Sequence, residues 1–202
     1  MTMSTEKDQK ETLIKLREMT GAGMMHCKEA LVEAKGDLKE AQDIIRRKGL
    51  DIAKKKSSRE VKEGQIVSYI HAGGKLGVLV EINCESDFVA RNESFQAFVK
   101  NVAMQIAAAH PLYVSPEEIP AAYMEKEKAI FQEELKGKPE QVQEKILQGK
   151  LAKRFEEICL LNQKYIKNDS QTVQDYLSET IARIGENIVI RRFVRFEVGG
   201  NA

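Results

Sequence analysis

The spacing of apolar residues changes twice along this chain, and these changes limit its fold more than any other feature. From residue 13 to 45 apolar side chains recur every three or four positions, which is typical of amphipathic helices. In the next apolar segment they alternate, placing Val78, Val80, Ile82 and Cys84 on one face of a strand. A helical stripe then returns, with members Phe95, Phe98, Val99, Val102 and Ile106. The sequence therefore predicts an α+β fold.

The first part of the chain predicts a small bundle of three helices. Two glycines within Thr20-Gly21-Ala22-Gly23 separate the first helix from the second. Gly36 ends the second, Asp37 with Glu40 forms a capping box for the third, and Gly49 marks its expected end. The polar run at 54–59 then reads as a linker or a frayed helix end. We therefore predict a helical domain with its linker at 1–56, followed by an α+β core at 57–202.

Three strands are predicted in the core, at 65–71, 75–84 and 187–198, and they suggest one antiparallel sheet covered by helices. The first two flank a turn at Ala72-Gly73-Gly74. In the last strand the pattern predicts an apolar face and a mixed face. The apolar face comprises Ile188, Ile190, Val194 and Phe196, and the mixed face Val189, Arg191, Phe193 and Arg195.

Between the sheet strands the sequence predicts a helical hairpin over about 116–160. Ser115-Pro116-Glu117-Glu118 favours a helix start, because it combines a cap, a first-turn proline and acids near the positive end of the helix dipole. Gly137-Lys138-Pro139 predicts the break between its two helices. A shorter helix is expected to begin at Thr172 and to end near Ile184-Gly185.

Composition and charge argue against several classes of partner. The formal net charge is +1, so no overall field favours nucleic acid or a membrane surface. The segment Met1 to Lys15 is mixed polar and charged, without the apolar core of a signal peptide. Cys27, Cys84 and Cys159 are far apart, which indicates reduced thiols rather than a disulfide framework or a zinc site. We therefore expect a cytoplasmic protein with no membrane, metal or cofactor.

No pattern for an enzyme active site is found in the sequence, and we expect no catalytic residues. It lacks a nucleophile elbow, a phosphate loop and a dinucleotide fingerprint. Two other functions stay open at this point. An enzyme using Cys84 or Cys159 would need a depressed thiol pKa and a histidine nearby. A ribosome- or RNA-associated adaptor would use the lysines at 54–56, although a solvated helix face is the more ordinary reading of that cluster.

Two segments resist a purely structural explanation. In Thr20-Gly21-Ala22-Gly23-Met24-Met25, consecutive methionines at a helix start cannot both point inward. At least one should face solvent or a partner, and the adaptable thioether suits a docking surface. The second segment, Glu85 to Asn92, joins the best strand to the best helix. A turn there needs only small and polar residues, so Phe88 must be buried either in the chain's own core or in a partner.

These same segments carry a resemblance to a known family. Residues 16–25, Leu16-Arg17-Glu18-Met19-Thr20-Gly21-Ala22-Gly23-Met24-Met25, resemble the N-terminal signature of elongation factor Ts. Residues 81–92, with Ser86-Asp87-Phe88-Val89 at their centre, resemble its second signature. Ile184-Gly185-Glu186-Asn187-Ile188 and residues 192–197 resemble its C-terminal elements. Together these ordered motifs extend over nearly the whole chain.

The resemblance has three departures. Ser86 stands where the family usually has threonine, and His26 where aspartate is common. The chain also carries one core unit, where longer members carry two related ones. Its Ser68-Tyr69-Ile70-His71 segment resembles the start of their second unit, and Ser86-Asp87-Phe88-Val89 resembles the first. One copy here combines features of both units.

The resemblance implies nucleotide exchange on elongation factor Tu, without covalent chemistry. The N-terminal bundle would be of the ubiquitin-associated type and would dock on the GTPase domain of elongation factor Tu. The tip would insert between two helices of that domain and displace magnesium and GDP. It implies the tip residues Ser86, Asp87, Phe88 and Val89, and the docking residues Met24, Met25, His71, Ile184 and Gly185. Lys28 joins the docking residues because it lies one helical turn from Met24, on the same expected face.

The single core unit further predicts a homodimer. A three-stranded sheet has a small core and at least one exposed edge. Pairing two sheets around a twofold axis would cover the last strand and rebuild a double core. The expected dimer contacts are Val189, Phe193 and Val194.

Overall fold

In the computed structural model of the chain, residues 6–135 and 139–200 are described. Within these ranges there are eight α-helices and five strands. The helices are α1 Glu6–Thr20, α2 Met24–Glu33, α3 Leu38–Lys56, α4 Asp87–Ala90, α5 Glu93–Ala109, α6 Ala121–Glu134, α7 Glu140–Ile158 and α8 Val173–Ile184. The strands are β1 Glu63–Ile70, β2 Leu76–Cys84, β3 Lys164–Tyr165, β4 Asn168–Thr172 and β5 Ile188–Glu197. Strands β1, β2 and β5 form an antiparallel sheet with β2 in the middle, which confirms the predicted α+β class.

The chain divides into two compact units, which are described separately. The first comprises Met1–Gln65, Ile82–Val99 and Asp175–Val189. The second comprises Ile66–Glu81, Lys100–Gln174 and Ile190–Ala202. The division predicted from the sequence, 1–56 against 57–202, concerns independent folding and stays a prediction.

In the first unit, α1, α2 and α3 pack as the predicted bundle. Its core is a cluster of small and medium apolar side chains: Leu16, Cys27, Ala30, Ala34, Ala41, Ile44 and Ile45. The break between α1 and α2 lies where the glycines predict it. Gly21 has φ +64°, and its N–H donates to the Arg17 carbonyl at 2.7 Å, which closes α1 with a left-handed residue. Half of the predicted capping box of α3 is confirmed, because Asp37 Oδ1 accepts from the Glu40 N–H at 2.8 Å. The Asp37 N–H donates instead to the Ala34 carbonyl at 3.0 Å.

Gly49 does not end α3, and this prediction was wrong. The helix continues to Lys56, and Gly49 is buried where α3 meets α8. Arg46 pairs with the buried carboxylate of Asp175 on α8 at 2.7 Å. Burial against α8 offsets the roughly 1 kcal/mol that an interior glycine costs a helix. Lys54, Lys55 and Lys56 therefore occupy the last turn of α3, where positive charge is favourable.

Strands β1 and β2 form the predicted hairpin. The His71 N–H donates to the Leu76 carbonyl at 2.8 Å across the turn. Val78, Val80, Ile82 and Cys84 are all buried, as their alternation predicts. At the start of β1, Gly64 has φ +145°, and an added Cβ would lie 2.2 Å from the Ile82 carbonyl oxygen. Only glycine fits that close approach of the two backbones.

The predicted faces of β5 hold only for its first half. Ile188 and Ile190 are buried, but Val194 and Phe196 are 40% and 68% exposed. Because Arg191 and Arg192 are both exposed, the alternation shifts by one position after Ile190. The apolar face predicted for the second half of the strand therefore points to solvent.

In the second unit, α6 and α7 pack as the predicted hairpin, but its start is later than predicted. Pro116–Glu118 is only a 3₁₀ turn, and α6 begins after Pro120. Ile119, which precedes that proline, is extended, as expected for a residue in this position. Of the predicted break, Gly137 and Lys138 lie outside the described residues. The pair β3–β4 was missed, since its short polar strands give no alternating pattern. No helix in the described ranges is long and apolar enough to cross a membrane.

Candidate functional site

The segment after β2 forms a short projecting helix, α4, which we call the tip together with its cap, Ser86. Ser86 Oγ accepts from the Val89 N–H at 3.3 Å and so caps the helix. Val89 and Ala90 are buried and anchor the tip from below. Gln65 Nε2 donates to the Ala90 carbonyl at 2.8 Å. The tip is therefore held at both ends by the first unit.

Phe88 lies on the outer side of the tip and is 78% exposed. The alternative of burial in the chain's own core is thereby excluded. Neighbouring Asp87 is also exposed and pairs with Arg91 at 3.1 Å. A pair so exposed contributes about 0–1 kcal/mol, which leaves the carboxylate available to a partner. The tip thus presents an aromatic ring and a carboxylate side by side.

Glu186 contacts the tip from the loop between α8 and β5. Its Oε2 accepts from the Ser86 N–H at 3.0 Å, and its Oε1 accepts from the Ser86 hydroxyl at 2.7 Å. Both hydrogen bonds are charge-assisted. Glu186 belongs to a motif that carries the family resemblance, but no role was predicted for it from the sequence. The serine at position 86 keeps the hydroxyl of the usual threonine, and that hydroxyl donates to Glu186 and accepts from the Val89 N–H.

Asn187 fixes the base of the same loop. Its N–H donates to Glu85 Oε1 at 2.6 Å, and its Nδ2 donates to the Arg59 carbonyl at 2.9 Å. Arg59 Nη1 lies 3.5 Å from Glu85 Oε1. Asn187 is buried, so these contacts join the end of β2 to the start of β5.

The predicted docking residues of α2 are on the surface. Met24 is 42% and Met25 64% exposed, as expected for methionines that cannot both point inward. Lys28 is exposed one turn further along, whereas Cys27 is buried in the bundle. Met19, at the end of α1, is also exposed.

The other predicted docking residues belong to elements other than α2. Ile184 is half-buried at the end of α8, and Gly185 follows it with its carbonyl bonded to Lys56 Nζ at 2.6 Å. His71 is exposed in the second unit, where Tyr69 Oη lies 3.1 Å from its Nδ1. Their roles in binding stay predictions.

The two thiols considered as nucleophiles have a raised pKa, whereas a nucleophilic thiol needs a depressed one. Burial raises the pKa of Cys84 to about 11, and burial likewise raises the pKa of Cys159 to about 11. Both thiols are therefore protonated at neutral pH, when a nucleophile would need a depressed pKa. In the described part of the chain, no group of three or more His, Cys, Asp or Glu side chains is placed to hold a metal ion.

The second unit carries an apolar surface that we call the outer sheet face. Its members are exposed residues of the sheet strands and the residue after β5: Ile66, Ile70, Leu79, Val194, Phe196 and Val198. They line two adjoining shallow grooves of about 390 and 300 Å³, which share Leu79. Of the predicted dimer contacts, Val194 lies on this face, Phe193 is half-buried at its margin, and Val189 is half-buried in the first unit.

Comparison with known proteins gives one consistent result. The sequence profile described as "Elongation factor TS" matches residues 4–200. The elongation factor Ts of Geobacter sp. (strain M21) is 59% identical over 186 residues, covering 91% of this chain and 86% of the relative. That of Geobacter sulfurreducens is 56% identical over the same shares of both chains. That of Thermoanaerobacter pseudethanolicus is 55% identical and covers 91% of each chain.

Proposed function

Since the chain belongs to the elongation factor Ts family and serves in translation elongation, we propose that it releases GDP from elongation factor Tu. The chain would bind elongation factor Tu with GDP and would make or break no covalent bond. It is therefore an exchange factor and not an enzyme. The cycle runs in the cytoplasm, in keeping with three buried free thiols.

The observation that carries this proposal is the exposed Phe88 on a tip that is fixed on both sides. Bound GDP depends on magnesium to neutralise its phosphates and on backbone donors of the phosphate-binding loop. A rigid apolar wedge with a carboxylate beside it, Phe88 and Asp87, would shift these groups when inserted. Magnesium and GDP would leave, GTP would bind, and the factor would dissociate.

Docking of α2 supplies the part of the binding energy that the wedge lacks. Weakening GDP binding by about 10⁴ requires about 5.5 kcal/mol of coupling. Burying one phenylalanine contributes roughly 1.5–3 kcal/mol. We therefore assign Met24, Met25 and Lys28 to the GTPase-domain contact, with His71, Ile184 and Gly185 in further contacts.

Release of a fluorescent GDP from elongation factor Tu, followed at increasing concentrations of the chain, tests the proposal. We expect the wild-type chain to accelerate release many-fold and to act at less than one molecule per elongation factor Tu. Met25→Asp should raise the half-saturating concentration about tenfold or more, because a charge would enter an apolar contact. Ile130→Asp, at an exposed apolar residue of α6, is the matched control. No acceleration by the wild-type chain would refute the proposal.

We also propose that the protein works as a homodimer, joined through the outer sheet face. The six exposed apolar side chains lie together on one face of the sheet, and such clusters mark interaction sites. A twofold axis would place the same six residues of two chains against each other. One protomer could then present Asp87 and Phe88 and its partner His71 to the same molecule of elongation factor Tu.

A further inference from the structure

We propose that Glu186 is a positioning residue for nucleotide exchange, because it fixes the direction in which Phe88 projects. This inference rests on the proposed function, because the position of the ring matters only if the ring is the wedge. Glu186 itself lies behind the tip and is half-buried.

The geometry for this role is a short chain of hydrogen bonds. The Glu186 carboxylate accepts both donors of Ser86, its N–H at 3.0 Å and its hydroxyl at 2.7 Å. The same hydroxyl oxygen then accepts from the Val89 N–H at 3.3 Å. The carboxylate thus fixes the rotamer of the cap, and the cap fixes the first turn of α4. Phe88 stands on that turn, so its direction follows from the carboxylate.

The contacts of Glu186 differ from those of Asn187. Asn187 is buried and joins Glu85 to Arg59, which holds the loop to the body of the first unit. Glu186 is partly open to solvent and acts on Ser86, the cap of the tip itself. Loss of its carboxylate should therefore loosen the tip while the fold survives.

The inference predicts a graded series of variants. Glu186→Gln keeps the length of the side chain but presents an amide group to one of the two Ser86 donors, so one strong contact is lost. Glu186→Asp keeps the charge but is one methylene shorter, roughly 1.5 Å, and cannot reach both donors. Glu186→Ala removes both contacts. Glu60→Ala, at an exposed glutamate of the same unit that pairs with Lys62, is the matched control.

Two measurements on each variant test the role. In the free chain, hydrogen exchange at the amides of Ser86 and Val89 should be about tenfold faster in Glu186→Ala, with α5 unchanged. In the release assay, the maximal rate should fall about tenfold and the half-saturating concentration should stay within about twofold. For Glu186→Gln, both the amide exchange rate and the maximal rate of GDP release should lie between the values for Glu186→Ala and the wild type. The double variant with Ser86→Ala and Glu186→Ala should lower the maximal rate of GDP release little more than either single variant does.

Each outcome decides the inference. Unchanged exchange at the Ser86 and Val89 amides would overturn it, whatever the release rate. Faster amide exchange with an unchanged maximal rate would also overturn it, since the tip would be loose without consequence. A Glu186→Ala effect on half-saturation alone would assign the residue to docking instead. Failure of the proposed function is separate, because it would appear as no release by the wild-type chain.

Discussion

Phe88→Ala is expected to lower the maximal rate of GDP release about tenfold to a hundredfold and to leave the chain as stable as the wild type. The ring is 78% exposed, so its removal leaves no cavity in the chain. If the ring is buried in elongation factor Tu, its loss removes roughly 1.5–3 kcal/mol, which corresponds to this range of rates. The release assay and thermal unfolding measure the two effects.

Two neighbours of Phe88 supply the controls. Asp87→Ala should also reduce release, but by less, because the carboxylate is exposed and pairs with Arg91. Arg91→Ala alters the same surface without touching the wedge and should have a small effect. A Phe88→Ala chain that released GDP at the wild-type rate would show that the ring is not the wedge. A loss of several kcal/mol of stability would show that it is a core residue in solution.

Leu79→Asp is expected to separate the homodimer into monomers. Leu79 lies on the central strand of the sheet and contributes to both grooves of the outer sheet face. A twofold interface would bury two such carboxylates without partners, at about 3 kcal/mol or more each. The dimer dissociation constant should therefore rise at least about a hundredfold. Sedimentation at micromolar concentration should show twice 22.8 kDa for the wild type and one chain for the variant.

The site of substitution matters for this test. Phe193 was among the predicted dimer contacts, but it is half-buried, and an aspartate there would risk unfolding the chain. Leu79 is exposed, so the monomeric variant should fold normally. Ile130→Asp on α6 is again the matched control. A wild-type chain that sedimented as a single 22.8 kDa species with full exchange activity would contradict the dimer.

The fold followed from the sequence where one local pattern decided it. The alternation in β2 and the stripe in α5 each predicted buried residues that are indeed buried, because one face of each element meets the core. Gly49 and Ser115 misled for two different reasons. Packing against α8 overrides a helix-breaking residue in α3, and such a tertiary contact leaves no mark in a single sequence. Pro120 sets the start of α6 locally, and this signal was present in the sequence but was given less weight than the motif at Ser115.

The exposed residues of the candidate site could be predicted from the sequence, but the residue that holds the tip in place could not. Consecutive methionines and a phenylalanine in a polar turn stand out, because neither fits an ordinary interior. Glu186 does not stand out, since it is one acidic residue among many and lies 100 positions from Ser86. The phase shift after Ile190 was likewise hidden, because Phe193 and Val194 place an apolar residue on each face of β5 and the sequence does not say which one is buried.

The affinity of the chain for elongation factor Tu, measured without nucleotide and again with saturating GDP and magnesium, tests the central claim most directly. Linkage requires that a factor which weakens GDP binding is itself weakened by GDP to the same extent. We expect tight binding to the nucleotide-free protein and binding weaker by about 10⁴ when GDP is bound, equivalent to about 5.5 kcal/mol of coupling. Equal affinity for the two states would contradict the account, because a factor that binds both equally cannot expel GDP.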